Sequence, residues 1–305
     1  MANGKRPSFV ATPTMAADHS GIGEISLPMY ARSFEGEFWA SGTATVISPW
    51  LAITARHVVE DFLQRFGSSA EGDAVAPQFH IGLVMVLAAG RGVRSLFAGR
   101  IWYSQPIDIA VLELVPANND FARGHDWKLP VLDLSPPLVG TQVVAVGYPT
   151  PRIDPAPDRD GAPVGIWRMT PATSTGVVEE LHLEFRDKSL LPFPSFRTNA
   201  RFDGGMSGAP VFNDAGHVCG IVCSGIAPMA EEDGHISYAS VLWPMMGIRM
   251  NKGWEGHPDG EYYLAFDLAS AKEISTVGLE RIHISDANGV RTVGRQGDPR
   301  EYPPA

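Results

Sequence analysis

Along this chain short apolar, β-branched runs alternate with polar punctuation, and long helical stripes are rare. From "EISLPMYARS" (24–33) through "EFWASGTATVISPWLAITARHVV" (37–59) the pattern is strand-like, rich in Thr, Val and Ile and broken by Gly and Pro. Further strands are predicted over 79–88, 95–103, 107–114 and 142–148, and again over 173–186, 209–213, 217–224 and 236–243. One helical turn is predicted in "ARHVVEDFLQRF", where Val59, Phe62, Leu63 and Phe66 recur at helical spacing. The segment 149–165, "PTPRIDPAPDRDGAPVG", holds five prolines and reads as a loop. Beyond about 245 the pattern changes. "LASAKEISTVGL" predicts a short helix and "ERIHISDANGVRTV" a hairpin turning at "NG". Residues 1–24 read as polar and irregular, and the final "GDPREYPPA" as disordered. The sum is an all-β architecture of barrels or sandwiches.

Composition sharpens this. Gly 32 and Pro 25 among 305 residues suit many short strands joined by turns. A net charge of −10 argues against an electrostatic nucleic-acid binder and gives no attraction to an anionic membrane. No apolar run approaches the ~20 residues of a membrane span. "MANGKRPSFVATPTMAADHS" lacks the apolar core of a secretory signal. Cys219 and Cys223 stand four apart in "HVCGIVCSGI". On a strand that is roughly 13 Å, beyond the ~7 Å a disulfide allows, so they are expected unpaired and a reducing, cytoplasmic location is favoured. Asp154, Asp158 and Asp160 do not match the spacing of a calcium loop and read as a solvated acidic loop.

The chemistry centres on "GGMSGAP" (204–210), three glycines around Ser207. Such a turn either makes an ordinary hairpin or presents a serine with bare amides beside it. A serine nucleophile needs a base, most often histidine, and the imidazole needs a carboxylate to fix its tautomer. Among nine histidines, His19, His125 and His257 lie in loops. His80, His182, His217, His235 and His283 fit structural roles in or beside strands. His57 differs: it follows an apolar strand and opens the predicted helical turn, where a rigid scaffold can hold it. Asp108, in "PIDIAVLEL", is awkward beside a core unless something uses it.

"ITARHVV", "DIAVLEL" and "GGMSGAP" together resemble the three sequence blocks of the trypsin-like, chymotrypsin-fold serine proteases, in that family's His, Asp, Ser order. "DIAVL" and "VGYP" (146–149) are most similar to the bacterial high-temperature-requirement branch and its disulfide-free relatives. The resemblance covers about residues 35–245. It implies two six-stranded antiparallel β-barrels of the chymotrypsin type with a short C-terminal helix and hairpin extension. The implied domains are an irregular segment 1–24, a double-barrel protease domain 25–245, and an extension 246–305 that packs on the barrels or binds a partner protein.

By the same resemblance Ser207 is the nucleophile, His57 the general base and acid, and Asp108 its orienting acid. The backbone N–H groups of Gly205 and Ser207 form the oxyanion hole. Cys223, Ser224 and Gly225 match the strand along which substrates lie, and Arg201, with neighbours Asn199 and Asp203, approaches the specificity pocket or stays on the surface. Met206 stands where zymogen-activated members carry an aspartate, so that activation switch is not expected. "SGAP" replaces the more usual "SGGP", and no acid stands where it would favour Lys or Arg substrates. The expected substrate is a protein or peptide, with no cofactor and no metal. A catalytically silent peptide-binding or scaffold protein of the same fold is the alternative. An α/β-hydrolase elbow fails at the last position of "GMSGA", and a metalloenzyme would need ligand motifs such as HExxH that are absent.

Overall fold

The computed structural model describes residues 8–11, 21–71, 74–87, 92–116, 124–157, 163–226, 235–251, 253–254, 257, 263–287 and 290–297. Twelve strands form two closed antiparallel barrels. In the first, β1 (Ser26–Arg32), β2 (Phe38–Ser48), β3 (Leu51–Thr54), β4 (His80–Val86), β5 (Val93–Tyr103) and β6 (Ala110–Pro116) run in the order β5-β4-β1-β2-β3-β6, and β6 closes on β5. In the second, β7 (Gln142–Gly147), β8 (Ala172–His182), β9 (Ser195–Thr198), β10 (Pro210–Phe212), β11 (Val218–Ile226) and β12 (Ile236–Val241) run β10-β7-β8-β9-β12-β11, and β11 closes on β10.

Each barrel has its own apolar filling. Leu27, Met29, Val46, Leu83 and Leu112 pack inside the first, and Val143, Val178, Phe196, Val211 and Val241 inside the second. A third cluster lies between them, where Ile47, Ile53 and Trp102 meet Val218 and Ile221. Fully burying one such side chain is worth about 1.5–3 kcal/mol, and these clusters fix the two barrels against each other.

The chain beyond the second barrel continues that shared cluster. Met245, Met246, Trp254 and, from helix α2 (Ala265–Ser270), Leu268 are buried in it. Trp102 on β5 donates its indole N–H to Asn251 Oδ1 at 2.6 Å, and Arg100 reaches the Gly253 carbonyl at 2.7 Å. The helix starts earlier than the expected 268–279, where Asp267 caps it by accepting the Leu264 N–H at 2.7 Å, and stops sooner, where Lys272 after the last turn takes a left-handed φ of +63°. The expected hairpin forms, pairing Ile282–Ala287 with Val290–Arg295.

Two other expectations change. Segment 149–165 is not simply a loop: Arg152–Pro157 pairs antiparallel with Pro163–Arg168, and the tip between them lies outside the described residues. Prolines are compatible with a two-stranded ribbon, because its outward positions need no amide hydrogen. Asp154 on this ribbon pairs with Arg168, while Asp158 and Asp160 lie outside the described residues. Within 1–24, expected to be irregular, Ser8–Ala11 adds a strand to β8 and Ile22–Glu24 forms a helical turn. The end from 298 onward lies outside the described residues. Among the described residues no helix is long and apolar enough to cross a membrane. Both cysteines are free thiols, buried in β11.

Candidate active site

β3 ends at Thr54, and the chain passes through Ala55 into helix α1 (Arg56–Phe66), which buries Val58, Val59 and Phe62 against the first barrel. Ala55 offers no side-chain cap, so the first amides of the helix need another acceptor. Asp108 supplies it from the turn before β6: its Oδ1 accepts the His57 backbone N–H at 3.0 Å. The same carboxylate receives the imidazole, with His57 Nδ1 at 3.1 Å from Oδ1 and 2.9 Å from Oδ2. Only 7% of the Asp108 side chain is exposed, against 45% for His57. A carboxylate so enclosed must be paired, and its partners here are the histidine and a helix N-terminus that favours negative charge.

Burial works against a charged imidazole at His57. The hydrogen bond and charge of Asp108, helped by Glu60 and opposed by Arg56, outweigh it and hold its pKa above the ordinary value. With Nδ1 committed to Asp108, the neutral ring carries its lone pair on Nε2.

The serine turn lies between β9 and β10 and is clamped by the opposite barrel. Thr43 on β2 donates its backbone N–H to the Ser207 carbonyl at 2.8 Å and its hydroxyl to the Gly205 carbonyl at 2.9 Å. Thr45 donates to the Gly208 carbonyl at 3.0 Å, and Thr54 to the Thr43 carbonyl at 2.7 Å. Thr43, Thr45 and Thr54 are fully buried, and they tie the serine turn to the strands that deliver His57. These threonines were missed in the sequence; for Thr43 and Thr45 the signal was polar residues alternating on one face of an apolar strand, in "SGTATVIS", and Thr54 closes the next apolar strand, "LAIT".

Two glycines are dictated by space. A Cβ at Gly205, where φ is +94°, would stand 2.4 Å from Pro151 Cδ and 2.6 Å from the Tyr148 carbonyl oxygen. At Gly208, where φ is +87°, it would stand 2.1 Å from the Thr43 carbonyl oxygen and 2.9 Å from the Ala55 nitrogen. Gly208 thus abuts the residue two before His57, which brings the serine turn and the His57–Asp108 pair to one place. Among the described residues the backbone N–H groups of Gly205 and Ser207 donate to no protein acceptor, and Ser207 Oγ makes no hydrogen bond.

The remaining expected residues line up along β11 and the turn before Ser207. Ser224 is half-buried and Gly225 exposed, and both pair on one side with β12. Cys223 instead turns its thiol inward, donating to the Tyr238 carbonyl at 3.2 Å; burial, with the nearby charge of Asp108, pushes that thiol well above its ordinary pKa. Arg201 is gripped by Asp203, Nε to Oδ1 at 2.8 Å and Nη2 to Oδ2 at 2.7 Å, and its side chain is 43% exposed. Asn199 accepts the Val177 N–H at 2.9 Å. Among the described residues no three His, Cys, Asp or Glu side chains converge as a metal site would require.

The sequence profile of the trypsin-like peptidase domain matches residues 42–221, more than half of the chain, from β2 to β11 and so across His57, Asp108 and Ser207. The chain belongs to the trypsin-like peptidase family. No curated protein matches it. Among solved structures it is similar to the inactive mutant form of Rv3671c from M. tuberculosis H37Rv, at 18% identity and a TM-score of 0.41 over 76% of this chain and 89% of that one. It is also similar to Deg5, at 18% identity and 0.48 over 72% and 85%. The protease domain of MamO from Magnetospirillum magneticum matches at 15% identity and 0.43 over 73% and 94%.

Proposed function

We propose that this peptidase is a serine endopeptidase working through a Ser207 acyl-enzyme. Ser207 Oγ attacks the scissile carbonyl carbon, and its proton passes to His57 Nε2 as the carbon–oxygen bond forms. Asp108 holds the ring in the required tautomer and stabilises the imidazolium. The Gly205 and Ser207 amides take the oxyanion, a donor worth ~2.7–4 kcal/mol each to the transition state. The tetrahedral adduct collapses, the carbon–nitrogen bond breaks, and His57 returns the proton to the leaving amine. Water then hydrolyses the acyl ester by the same route. The substrate backbone adds beside Ser224 and Gly225 as an extra strand, a contact in which Cys223 takes part through its backbone only.

The observation that carries the reading is the doubly bonded His57–Asp108 pair adjoining a turn with two unengaged amides beside a serine. A hydrogen bond from Ser207 to His57 is not needed in the free protein, since such contacts are often long before substrate binds. A fluorophosphonate probe is expected to label the wild-type protein and not Ser207→Ala, and the variant's kcat is expected to fall by ~10⁴–10⁶-fold. Equal labelling of both proteins, or no labelling of either, refutes the reading; the latter outcome is the one a silent peptide-binding module gives.

A further inference from the structure

We infer that Thr150 is a positioning residue for the oxyanion hole, acting through its backbone N–H on the Gly204–Gly205 peptide; this rests on the serine-protease reading above. A peptide's carbonyl and its N–H share a plane and point in opposite directions. The Gly204 carbonyl accepts the Thr150 N–H at 2.7 Å, so the Gly205 N–H is aimed the other way. Turned over, the same peptide would offer a carbonyl oxygen where negative charge develops, and would oppose the reaction instead of assisting it. Flanked by two glycines, this peptide has little steric resistance to turning. The Ser207 amide is fixed within its own turn, where the Met206 carbonyl accepts the Ala209 N–H at 2.9 Å. Gly205 takes its orientation from outside the serine turn, from the segment after β7.

Thr150 is held in an unusual state to do this. Its φ is +45°, a left-handed value that is a genuine outlier for a β-branched residue and costs of order 1–3 kcal/mol. It lies between Pro149 and Pro151, neither of which has an amide hydrogen, so it carries the one backbone donor of the three residues. That donor is delivered to Gly204. The turn also fits Gly205 directly, because the Thr150 nitrogen would stand 3.0 Å from a Cβ there. Its far side runs into the Arg152–Pro157 ribbon, whose partner strand sets Trp167 edge-on against Tyr30 of the first barrel, ring centres 4.4 Å apart. The turn is therefore supported by both barrels.

The test is an amide-to-ester exchange at Thr150, made by incorporating the corresponding α-hydroxy acid, which removes the N–H and keeps the side chain. On a peptide substrate the ester protein is expected to lose ~10–100-fold in kcat. KM should stay within about two-fold, because the interaction acts on the transition state. The pH midpoint of kcat/KM should not move, since the His57–Asp108 pair is untouched. Thr150→Gly, which keeps the N–H and adopts a positive φ freely, should retain kcat within about three-fold. An ester protein with wild-type kcat, a loss confined to KM, or a Thr150→Gly variant as impaired as the ester overturns the inference. Ser207→Ala measured alongside separates the two readings. Wild-type turnover no faster than Ser207→Ala removes the protease reading, and this inference with it.

Discussion

At Gly208 one methyl group is enough to decide the outcome. The atoms it would meet, the Thr43 carbonyl oxygen at 2.1 Å and Thr54 Oγ1 at 2.3 Å, belong to buried strands and cannot swing aside. The backbone is also left-handed there, which costs an alanine roughly 1–2 kcal/mol before any clash. Gly208→Ala is therefore expected to lose about 2–4 kcal/mol in denaturant unfolding and to displace Ser207. Gly204→Ala has no heavy atom within 4 Å of the new methyl and should be close to neutral in stability. Equal stability of the two variants would refute this account of the turn. "GGMSGAP" thus contains glycines of different kinds, and the sequence alone does not sort them. What distinguishes Gly208 is the approach of β2, which is more than 150 positions away in the chain.

At the scale of the element, helix α1 and the turn carrying Asp108 act as one unit. The carboxylate caps the helix and orients the ring, and an asparagine can still accept the His57 N–H while losing the charge. Asp108→Asn should keep its helical circular dichroism and lose ~10²–10⁴-fold in kcat. The pH profile gives the sign. The proposed mechanism needs neutral His57, and since its pKa is held above the ordinary ~6.5, wild-type activity should rise through a midpoint above that value. Asp108 supplies the upward pull and burial the downward one, so removing the charge should shift the midpoint to lower pH. A midpoint that stays put or rises in Asp108→Asn contradicts this account of the pair. His57, Asp108 and Ser207, the residues of the proposed mechanism, could be singled out in the sequence because each sits in a short local pattern. The Arg152–Pro157 ribbon was not, because five prolines signal a loop, while the contacts that favour extended pairing, such as Trp167 on Tyr30 and Arg168 with Asp154, are made between residues far from each other or across the ribbon. Thr150 gave no signal at all, since a backbone donor leaves no mark on residue type.

At the scale of the molecule, two barrels with separate fillings are held by a third cluster, to which the extension contributes. The helix and hairpin of the extension were visible in the sequence. Their destination was not, because nothing local says that Trp254 reaches β5. Trp254 is 1% exposed and meets Trp102 edge-on, ring centres 6.0 Å apart, while its neighbours Asn251 and Gly253 bond to Trp102 and Arg100. Truncating it opens a large cavity that the surrounding strands cannot close, since they belong to a barrel with its own packed interior. Trp254→Ala is expected to cost about 3–5 kcal/mol, as other buried large-to-small aromatic changes do. Leu190→Ala supplies the contrast, because Leu190 is 76% exposed and its loss should stay within about 0.5 kcal/mol. Chemical denaturation of the three proteins measures both differences. If Trp254→Ala loses no more than Leu190→Ala, the extension covers the barrels without helping to hold them together.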